Sequence, residues 1–221
     1  IKMGANISGA GTSEIIVEGV DKLNPTDHEI IGDRIAAGTF LAAILSTKGS
    51  GIVNGINPEH LPMELKKLGE MGAKIDSTET SINIEYQDNL QSIELSTLPF
   101  PGIATDLQPI FGSALLLAEG TSILTENVYD QRFQWIPEVQ RMGANIQTGW
   151  QHAMIKGVES LSGAPVHATD IRTGASLIIA ALQADGLSTI TGIDHINRGY
   201  EDIVTSLSSL GSTIEYNNTN G

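Results

Sequence analysis

Cysteine is absent from the 221 residues of this chain, and aromatic and cationic side chains are scarce. Without cysteine no disulfide framework can form, which agrees with a reducing compartment such as the cytoplasm. Lys and Arg total 12 against 26 Asp and Glu, so the formal net charge is −14 at pH 7. That balance argues against a nucleic-acid partner. No apolar run reaches the length of a membrane span, and the first residues do not read as a signal peptide. We therefore expect no membrane partner.

The common cofactor and metal motifs are also missing. The five histidines show no metal-ligand spacing, and no glycine-rich loop follows the dinucleotide or P-loop pattern. Ser162 and Ser176 lack the context of a nucleophile elbow. We expect no cofactor and no metal.

Internal repeats are the strongest signal that is present. The segments "KMGANI", "EMGAKI", "RMGANI" and "SLGSTI" place glycines at 4, 72, 143 and 211, close to seventy residues apart. The last three follow helical patterns. The first of these helices is predicted to have Asn57 as N-cap, Pro58 in its first turn and Gly72 at its end. Another helix is predicted before Gly211, with Ile203, Leu207 and Leu210 on its apolar face.

A second pattern alternates with the first. Three segments each begin with an aspartate and continue as an apolar helix, a glycine turn and a short β-rich run; the aspartates are Asp33, Asp106 and Asp170. Hairpin strands precede them, as in "IIVEGVDKL" and "AMIKGVESL", with "SINIEYQDNL" as a weaker copy. The repeating unit is therefore ββαβαβ, three times over, a mixed α/β (α+β) fold. Packing with like faces inward would bury the aliphatic helices at a common centre and bring the three Asp-headed helix starts to equivalent places.

Arginine is concentrated near these helix starts. Four of the five arginines lie beside an Asp-headed helix or just after the β run that follows one, and only Arg141 lies elsewhere; the four are Arg34, Arg132, Arg172 and Arg198. A guanidinium group matches the geometry of phosphate and carboxylate, so a pocket for an anion is one interpretation. The other is that these arginines pair with neighbouring acids such as Asp130, Asp170 and Glu201. Composition leaves both open.

The loop "STLPFPGIATDLQ" favours the functional interpretation. Pro99 and Pro101 stiffen a segment that delivers Asp106 to a helix start. An ionised aspartate among arginines can act as a general base if it faces a substrate hydroxyl.

Several strings together resemble a known family, namely "DRIAAGTFLAA", "FPGIATDLQ", "AEGTSILTENVYDQRF", "GVESLSGAPVHATDIRTGASL" and "HINRGYE". Almost from end to end, the chain is similar to the C-terminal half of the bacterial UDP-N-acetylglucosamine 1-carboxyvinyltransferases, which are enolpyruvyl transferases. The resemblance implies an inside-out α/β barrel, in which three units surround a pseudo-three-fold axis with helices inside and sheets outside. It also implies a cytoplasmic bacterial enzyme whose partners are UDP-N-acetylglucosamine and phosphoenolpyruvate. Such an enzyme catalyses the first committed step of peptidoglycan synthesis.

The resemblance implies a role for each matched residue. Asp106 corresponds to a general base and Val128 to a contact with the nucleotide sugar. Arg198 corresponds to a ligand of the phosphoenolpyruvate anion. Asp170, Arg172 and Arg132 correspond to cleft residues that organise the intermediate or contact substrate and phosphate. Asn197, Thr173 and Gly174 depart from the family pattern, and we expect little consequence.

The resemblance also predicts the domain organisation. Residues 1–30 correspond to a crossover segment and a remnant of another domain, and residues 31–221 to the three-repeat domain. The loop cysteine or aspartate and the Lys-Asn pair of the family belong to an N-terminal half that is not in this sequence. We therefore expect a piece of a longer protein that is inactive alone. Two alternatives stay open: an enolpyruvyl transferase of the 5-enolpyruvylshikimate-3-phosphate synthase type that acts on another acceptor, and a non-catalytic domain that binds an anionic sugar.

Overall fold

The computed structural model describes residues 1–217, and the chain separates into two compact units after Ile31. The first unit, residues 1–31, contains an antiparallel hairpin of β1 (Asn6–Ser8) and β2 (Ile16–Glu18). The N–H of Asn24 donates to the carbonyl of Met3 at 2.8 Å, which brings the chain back beside the hairpin. Every residue of this unit is at least partly exposed, including Ile16 and Val17.

The second unit contains the remaining described elements. Its α-helices are α1 (Arg34–Ser46), α2 (Pro62–Glu70), α3 (Gln108–Ala114), α4 (Ile136–Arg141), α5 (Ile171–Gln183), α6 (Ile193–Asn197) and α7 (Ile203–Ser209). Short 3-10 helices span Pro58–His60, Thr105–Leu107 and Arg132–Trp135. Its strands are β3 (Ser50–Asn54), β4 (Ala73–Ser77), β5 (Ser81–Tyr86), β6 (Glu94–Ser96), β7 (Thr121–Thr125), β8 (Asn145–Gly149), β9 (His152–Lys156), β10 (Leu161–Ser162), β11 (Pro165–His167), β12 (Ala184–Asp185) and β13 (Thr189–Thr191).

Three helices form the centre of this unit. α1, α3 and α5 each contact the other two, and they are the three helices that follow the aspartates of the repeat. Each is apolar on most of its surface, and α3 is buried along its whole length. A helix that is apolar all round requires burial on all sides, which the centre of the unit provides. The expectation of aliphatic helices around a common centre is confirmed.

The sheets lie outside these helices with one face turned inward. β3, β5 and β4 form an antiparallel sheet, and β6, β7, β9 and β8 form a second sheet in which only β6 and β7 are parallel. Buried and exposed residues alternate along β5, β7 and β9, as expected for strands with one solvated face. Together with the central helices, this is the inside-out α/β arrangement expected above.

The third repeat departs from the other two. Its strands form two short parallel pairs, β10 with β12 and β11 with β13, and residues 212–217 after α7 are not in a strand. A strand assignment depends on a pairing partner as well as on the local pattern. Within the described residues, the ββαβαβ order expected of each repeat is therefore incomplete in the third.

The repeated glycines share one backbone conformation. Gly4, Gly72, Gly143 and Gly211 have φ values of 96°, 107°, 99° and 98°. The last three each follow a helix, at the position where a left-handed residue terminates the helical hydrogen bonding. A side chain at such φ values is disfavoured, so the repeat in sequence reflects a repeated turn.

The helix predicted from Asn57 to Gly72 is divided in two. Asn57 accepts a hydrogen bond from the N–H of Glu59 at 2.9 Å and so caps only the 3-10 turn. Pro62 then begins α2, and Leu61 before it lies outside the helical region at φ −133° and ψ 35°. Proline disfavours the helical conformation in the residue before it, so Pro62 separates the two helical segments at Leu61. The prediction that Leu210 faces the core is also wrong, because its side chain is 56% exposed.

Gly112 in α3 permits the buried Trp135 ring to pack directly against the helix. A Cβ atom at this position would lie 2.6 Å from ring carbons of Trp135 and 2.9 Å from Leu124 Cδ1. Trp135 is fully buried, and its Nε1–H donates to Gln108 Oε1 at 3.1 Å, so the ring cannot move aside freely. Gly69 in α2 offers a contrast, because it lies in a helix and a Cβ there meets open space.

We predict that Gly112→Ala and Gly69→Ala change the free energy of unfolding in opposite directions. Overpacking costs about 1–3 kcal/mol, and alanine gains about 1 kcal/mol over glycine in a helix. Gly112→Ala should therefore lose up to about 2 kcal/mol, and Gly69→Ala should gain up to about 1 kcal/mol. Urea unfolding of both variants measures the difference. Equal stabilisation by the two substitutions would show that Trp135 does not constrain Gly112.

Candidate active site

Two of the three repeated aspartates cap their helices. Asp33 accepts a hydrogen bond from the N–H of Ile35 at 2.7 Å, and Asp170 accepts from the N–H groups of Arg172 and Thr173 at 2.8 and 3.1 Å. These bonds satisfy N–H groups that are free at a helix start.

Asp106 does not share this role. It lies inside the 3-10 turn Thr105–Leu107, whose N-cap is Ala104, and it makes no capping bond. The 3-10 turn precedes α3 and shifts Asp106 away from the capping position. The three aspartates therefore differ in role, and the carboxylate of Asp106 is left for other contacts.

The carboxylate of Asp106 joins two arginines. Arg132 Nη2 lies 2.9 Å from Oδ1, and Arg172 Nη2 lies 2.8 Å from Oδ2. The Nε–H of Arg132 also donates to Thr105 Oγ1 at 3.1 Å. The arginine side chains are 15% and 20% exposed, and that of Asp106 is 35% exposed. Such partly buried, charge-assisted bonds hold their geometry better than exposed ion pairs.

Each arginine is oriented by its own element. Arg172 lies in the first turn of α5, two residues after its cap Asp170. Arg132 begins a 3-10 helix that ends in the buried Trp135. Its guanidinium carbon lies 4.7 Å from the centre of the Tyr129 ring, which is within the range of a cation–π contact. The two cations therefore approach Asp106 from different repeats.

The environment of Asp170 favours its charged form. Burial raises the pKa of Asp170, but hydrogen bonds from the Thr173 hydroxyl and from the N–H groups of Thr173 and Arg172 lower it, as does the charge of Arg132. The lowering effects are the larger, so the pKa of Asp170 lies below its ordinary value of 3.8. Thr173, where the family pattern differs, thus adds a bond from its hydroxyl to the Asp170 carboxylate.

A cavity of about 260 Å³ opens beside this group of charges. Its wall consists of Arg132, Arg172, Asp170, Thr173, Tyr129, Pro109, Gln131 and Gln134. The lining offers two guanidinium groups, two carboxamides, two hydroxyl groups and one carboxylate. An anionic, hydroxyl-rich ligand suits such a wall, because guanidinium groups bind anions and carboxamides both donate and accept hydrogen bonds.

The structure brings together four of the six predicted site residues, namely Asp106, Arg132, Asp170 and Arg172. Asp106 itself does not line the cavity and is joined to its wall through the two arginines. Arg198 and Val128 do not line the cavity either. Arg198 follows α6 and is exposed. Val128 is 49% exposed, and its N–H donates to Glu126 Oε1 at 2.9 Å.

Arg132 and Arg172 fit both interpretations of the arginines, pairing with an acid and lining a pocket for an anion. The acid with which both arginines pair is Asp106. The acids that are closer in sequence, Asp130, Asp170 and Glu201, are not their ion-pair partners. Arg34 lies apart from them, 4.0 Å from the buried Glu64 and 5.5 Å from the centre of the Phe100 ring. Arg132 and Arg172 therefore both pair with an acid and line a cavity.

Several residues that shape the site were not among the predicted site residues. Thr105 accepts from Arg132, Tyr129 supports its guanidinium, and Gln131 and Gln134 line the cavity. The available signal was position, because Thr105, Tyr129 and Gln131 lie within the charged segments "IATDLQ" and "TENVYDQRF". Gln134 follows the second segment directly.

Two findings concern ligands and membranes. Within residues 1–217, no group of three or more His, Cys, Asp or Glu side chains is arranged to hold a metal ion. Across the same residues, no helix combines the length and the apolar character needed to span a bilayer.

Comparison with known proteins places this geometry in a family. The model of the EPSP synthase (3-phosphoshikimate 1-carboxyvinyltransferase) family matches residues 1–207. The chain belongs to the EPSP synthase family. Two solved structures share the fold. The enolpyruvyl transferase NikO from Streptomyces tendae aligns with a TM-score of 0.85 at 27% identity, over 97% of this chain and 52% of that one. An EPSP synthase from Acinetobacter baumannii aligns with a TM-score of 0.78 at 21% identity, over 97% of this chain and 53% of that one.

Curated relatives within the EPSP synthase family are more similar in sequence. The UDP-N-acetylglucosamine 1-carboxyvinyltransferase of Thermotoga maritima is 46% identical over 97% of this chain and 51% of its own length. The enzyme of the same name from Corynebacterium jeikeium is 44% identical over the same shares. The family resemblance expected from the motifs is confirmed. The chain spans about half the length of the curated relatives it matches.

We predict that Asp170 contributes stability that depends on pH. Because its pKa is lower in the folded state, the contribution is complete above the unfolded value near 4 and is lost as the pH falls through the folded value. Asp170→Asn keeps an oxygen that can cap the helix but removes the charge. The stability difference between the parent chain and Asp170→Asn should therefore shrink as urea titrations move from pH 6 towards pH 3. A difference that does not vary with pH would contradict the assignment.

Proposed function

We propose that this chain forms one wall of the active site of a nucleotide-sugar enolpyruvyl transferase. The enzyme transfers the enolpyruvyl group of phosphoenolpyruvate to the 3-hydroxyl of UDP-N-acetylglucosamine and releases phosphate, in the cytoplasm of a bacterium, as the first committed step of peptidoglycan synthesis. The observation that carries the proposal is the Asp106 carboxylate held between Arg132 and Arg172 at a cavity suited to an anion.

Sequence similarity supports UDP-N-acetylglucosamine as the acceptor. Relatives at 42–46% identity bear the name UDP-N-acetylglucosamine 1-carboxyvinyltransferase, whereas the EPSP synthase structures align at 20–21% identity. Since the family model carries the EPSP synthase name, shikimate 3-phosphate is the acceptor against which the proposal has to be tested.

The proposed chemistry assigns Asp106 the proton of the acceptor hydroxyl. The transfer forms a carbon–oxygen bond to the sugar and breaks the bond between the enolpyruvyl carbon and the phosphate oxygen, so the hydroxyl must lose its proton. Each oxygen of Asp106 uses one lone pair on an arginine and retains another that can accept that proton. Arg132 and Arg172 fix the direction of the carboxylate, which is what a general base requires.

The other residues bind and organise the substrates. Arg172, Arg132 and Asp170 present charge to the cavity, where phosphate or carboxylate groups of the substrates and the intermediate would lie. Arg198, exposed and outside the cavity, is proposed to bind the phosphoenolpyruvate anion. Val128 is proposed to contact the nucleotide sugar with its exposed side chain.

The partner proposed for this wall is the N-terminal half of such an enzyme. The relatives extend over about twice the length matched here. Turnover should therefore need both halves.

Phosphate release in a mixture of two chains tests this function. The 221-residue chain is assayed with phosphoenolpyruvate and UDP-N-acetylglucosamine, first alone and then with the N-terminal half of the Thermotoga maritima relative. We expect release only in the mixture, and with UDP-N-acetylglucosamine rather than shikimate 3-phosphate. In that mixture Asp106→Asn should lower kcat by about two to four orders of magnitude, the usual contribution of a general base.

Asp130→Asn is the matched control for this substitution. Asp130 is an exposed acid in the loop before Arg132 and does not line the cavity, so its replacement should leave kcat unchanged. An unchanged kcat in Asp106→Asn would overturn the base assignment. Turnover by the 221-residue chain alone would overturn the need for a second half.

We predict that Arg198→Ala mainly raises the KM for phosphoenolpyruvate. A hydrogen bond to a charged group contributes about 1.5–3 kcal/mol, so KM should rise by about 10- to 100-fold while the KM for the nucleotide sugar changes less. Arg141→Ala is the control, since Arg141 is exposed and pairs with Glu138 at 3.8 Å, away from the cavity. The same KM for phosphoenolpyruvate in both variants would refute the role of Arg198.

A further inference from the structure

Glu126 is a fully buried carboxylate that the proposed chemistry does not use. It follows β7 directly and has 0% exposure. Within residues 1–217 no lysine or arginine forms an ion pair with it, in contrast to Asp106 and Glu64. Burying a charged group without a cation is costly unless hydrogen bonds replace water.

The side-chain hydrogen bonds of Glu126 all involve one oxygen. Its Oε1 accepts from the Thr97 hydroxyl at 2.7 Å and from the N–H groups of Val128 and Tyr129 at 2.9 and 3.0 Å. Thr97 Oγ1 in turn accepts from the N–H of Asn127 at 2.9 Å, and the Asn127 side chain donates to the carbonyl of Thr97 at 3.1 Å. The three N–H groups of residues 127–129 are therefore satisfied by Glu126 and Thr97. We call residues 126–129 the Glu126 turn.

The Glu126 turn leads directly to Arg132. The carbonyl of Tyr129 accepts from the N–H of Arg132 at 3.0 Å, and the Tyr129 ring lies under its guanidinium at 4.7 Å. Arg132 then reaches Thr105 and Asp106. The backbone fixed by Glu126 therefore determines the positions of the Tyr129 ring and the Arg132 guanidinium.

We propose that Glu126 is a positioning residue, whose buried carboxylate fixes the Glu126 turn so that Tyr129 holds Arg132 against Asp106. Its importance for turnover rests on the proposed function, but its effect on Arg132 does not. Loss of the carboxylate should let Tyr129 move and free Arg132 from Asp106, with little change in the remaining fold.

Four variants separate positioning from general destabilisation. Glu126→Leu removes the acceptor, and Glu126→Gln keeps an oxygen that can accept the same three hydrogen bonds. Thr97→Val keeps the side-chain shape but breaks the link between Glu126 and Asn127. Ser122→Ala is the matched control, because Ser122 is also buried on β7 and its hydroxyl accepts from Ile93, outside the Glu126 turn.

The first readout is the Nε–H signal of Arg132 in nitrogen-15 NMR spectra of the 221-residue chain. It is assigned by its loss in Arg132→Lys, and its bond to Thr105 Oγ1 should protect it from exchange. We expect the signal to be lost in Glu126→Leu and Thr97→Val and retained in Glu126→Gln and Ser122→Ala. A retained signal in folded Glu126→Leu overturns the proposal. If Glu126→Leu does not fold, a retained signal in Thr97→Val overturns it.

The second readout is kinetic, in the two-chain mixture described above. A misplaced catalytic contact can cost about 100-fold in rate, so Glu126→Leu should lower kcat/KM by about 10- to 100-fold. Glu126→Gln should restore most of this loss, and Ser122→Ala should stay close to the parent. In Glu126→Leu, loss of the Arg132 NMR signal with unchanged kcat/KM would overturn the proposed function of Arg132. A retained Arg132 signal in Glu126→Leu would overturn the positioning role of Glu126.

Discussion

The contact on which the site depends is the carboxylate of Asp106 between Arg132 and Arg172. Its two oxygens are each bound by a guanidinium group, and the two arginines come from different repeats. Because the cations would otherwise repel each other, the carboxylate allows both to line one small cavity. The capping of α5 by Asp170 and the stacking of Arg132 on Tyr129 set the directions from which they arrive. Helix starts in this fold thus supply both structural caps and functional charge.

The packing of three similar helices keeps these helix starts close together. α1, α3 and α5 meet at the centre of residues 32–217, and glycine in each allows a neighbour to approach closely, at Gly38, Gly112 and Gly174. The same repeat does not make the three starts equivalent. Asp33 and Asp170 cap their helices, but a 3-10 turn leaves Asp106 free to bind cations. A repeated scaffold therefore carries a site in which its copies have different roles.

Much of the fold was predictable because its signals are local. Apolar helices after each aspartate and glycines at a fixed period report burial and turn geometry directly, and the structure has both. The short strands of the third repeat were not predictable, since a strand depends on what pairs with it. The direct pairing of Asp106 with Arg132 and Arg172 depends on tertiary packing across repeats, so the sequence placed Asp106 among arginines without showing which of them it binds. Tyr129 and Glu126 act through aromatic stacking and a buried backbone turn, neither of which has a marked sequence pattern.

The charge of the cavity wall has a consequence for how ligands arrive. The two arginines and two aspartates at the site cancel formally, while the chain as a whole carries −14. An anion is therefore repelled at long range and attracted only at contact. Dissolved salt screens charges beyond roughly 8 Å at physiological ionic strength and affects partly buried pairs less. Added salt should thus speed the encounter of an anionic substrate with this chain, the reverse of its effect on an association steered by opposite charge.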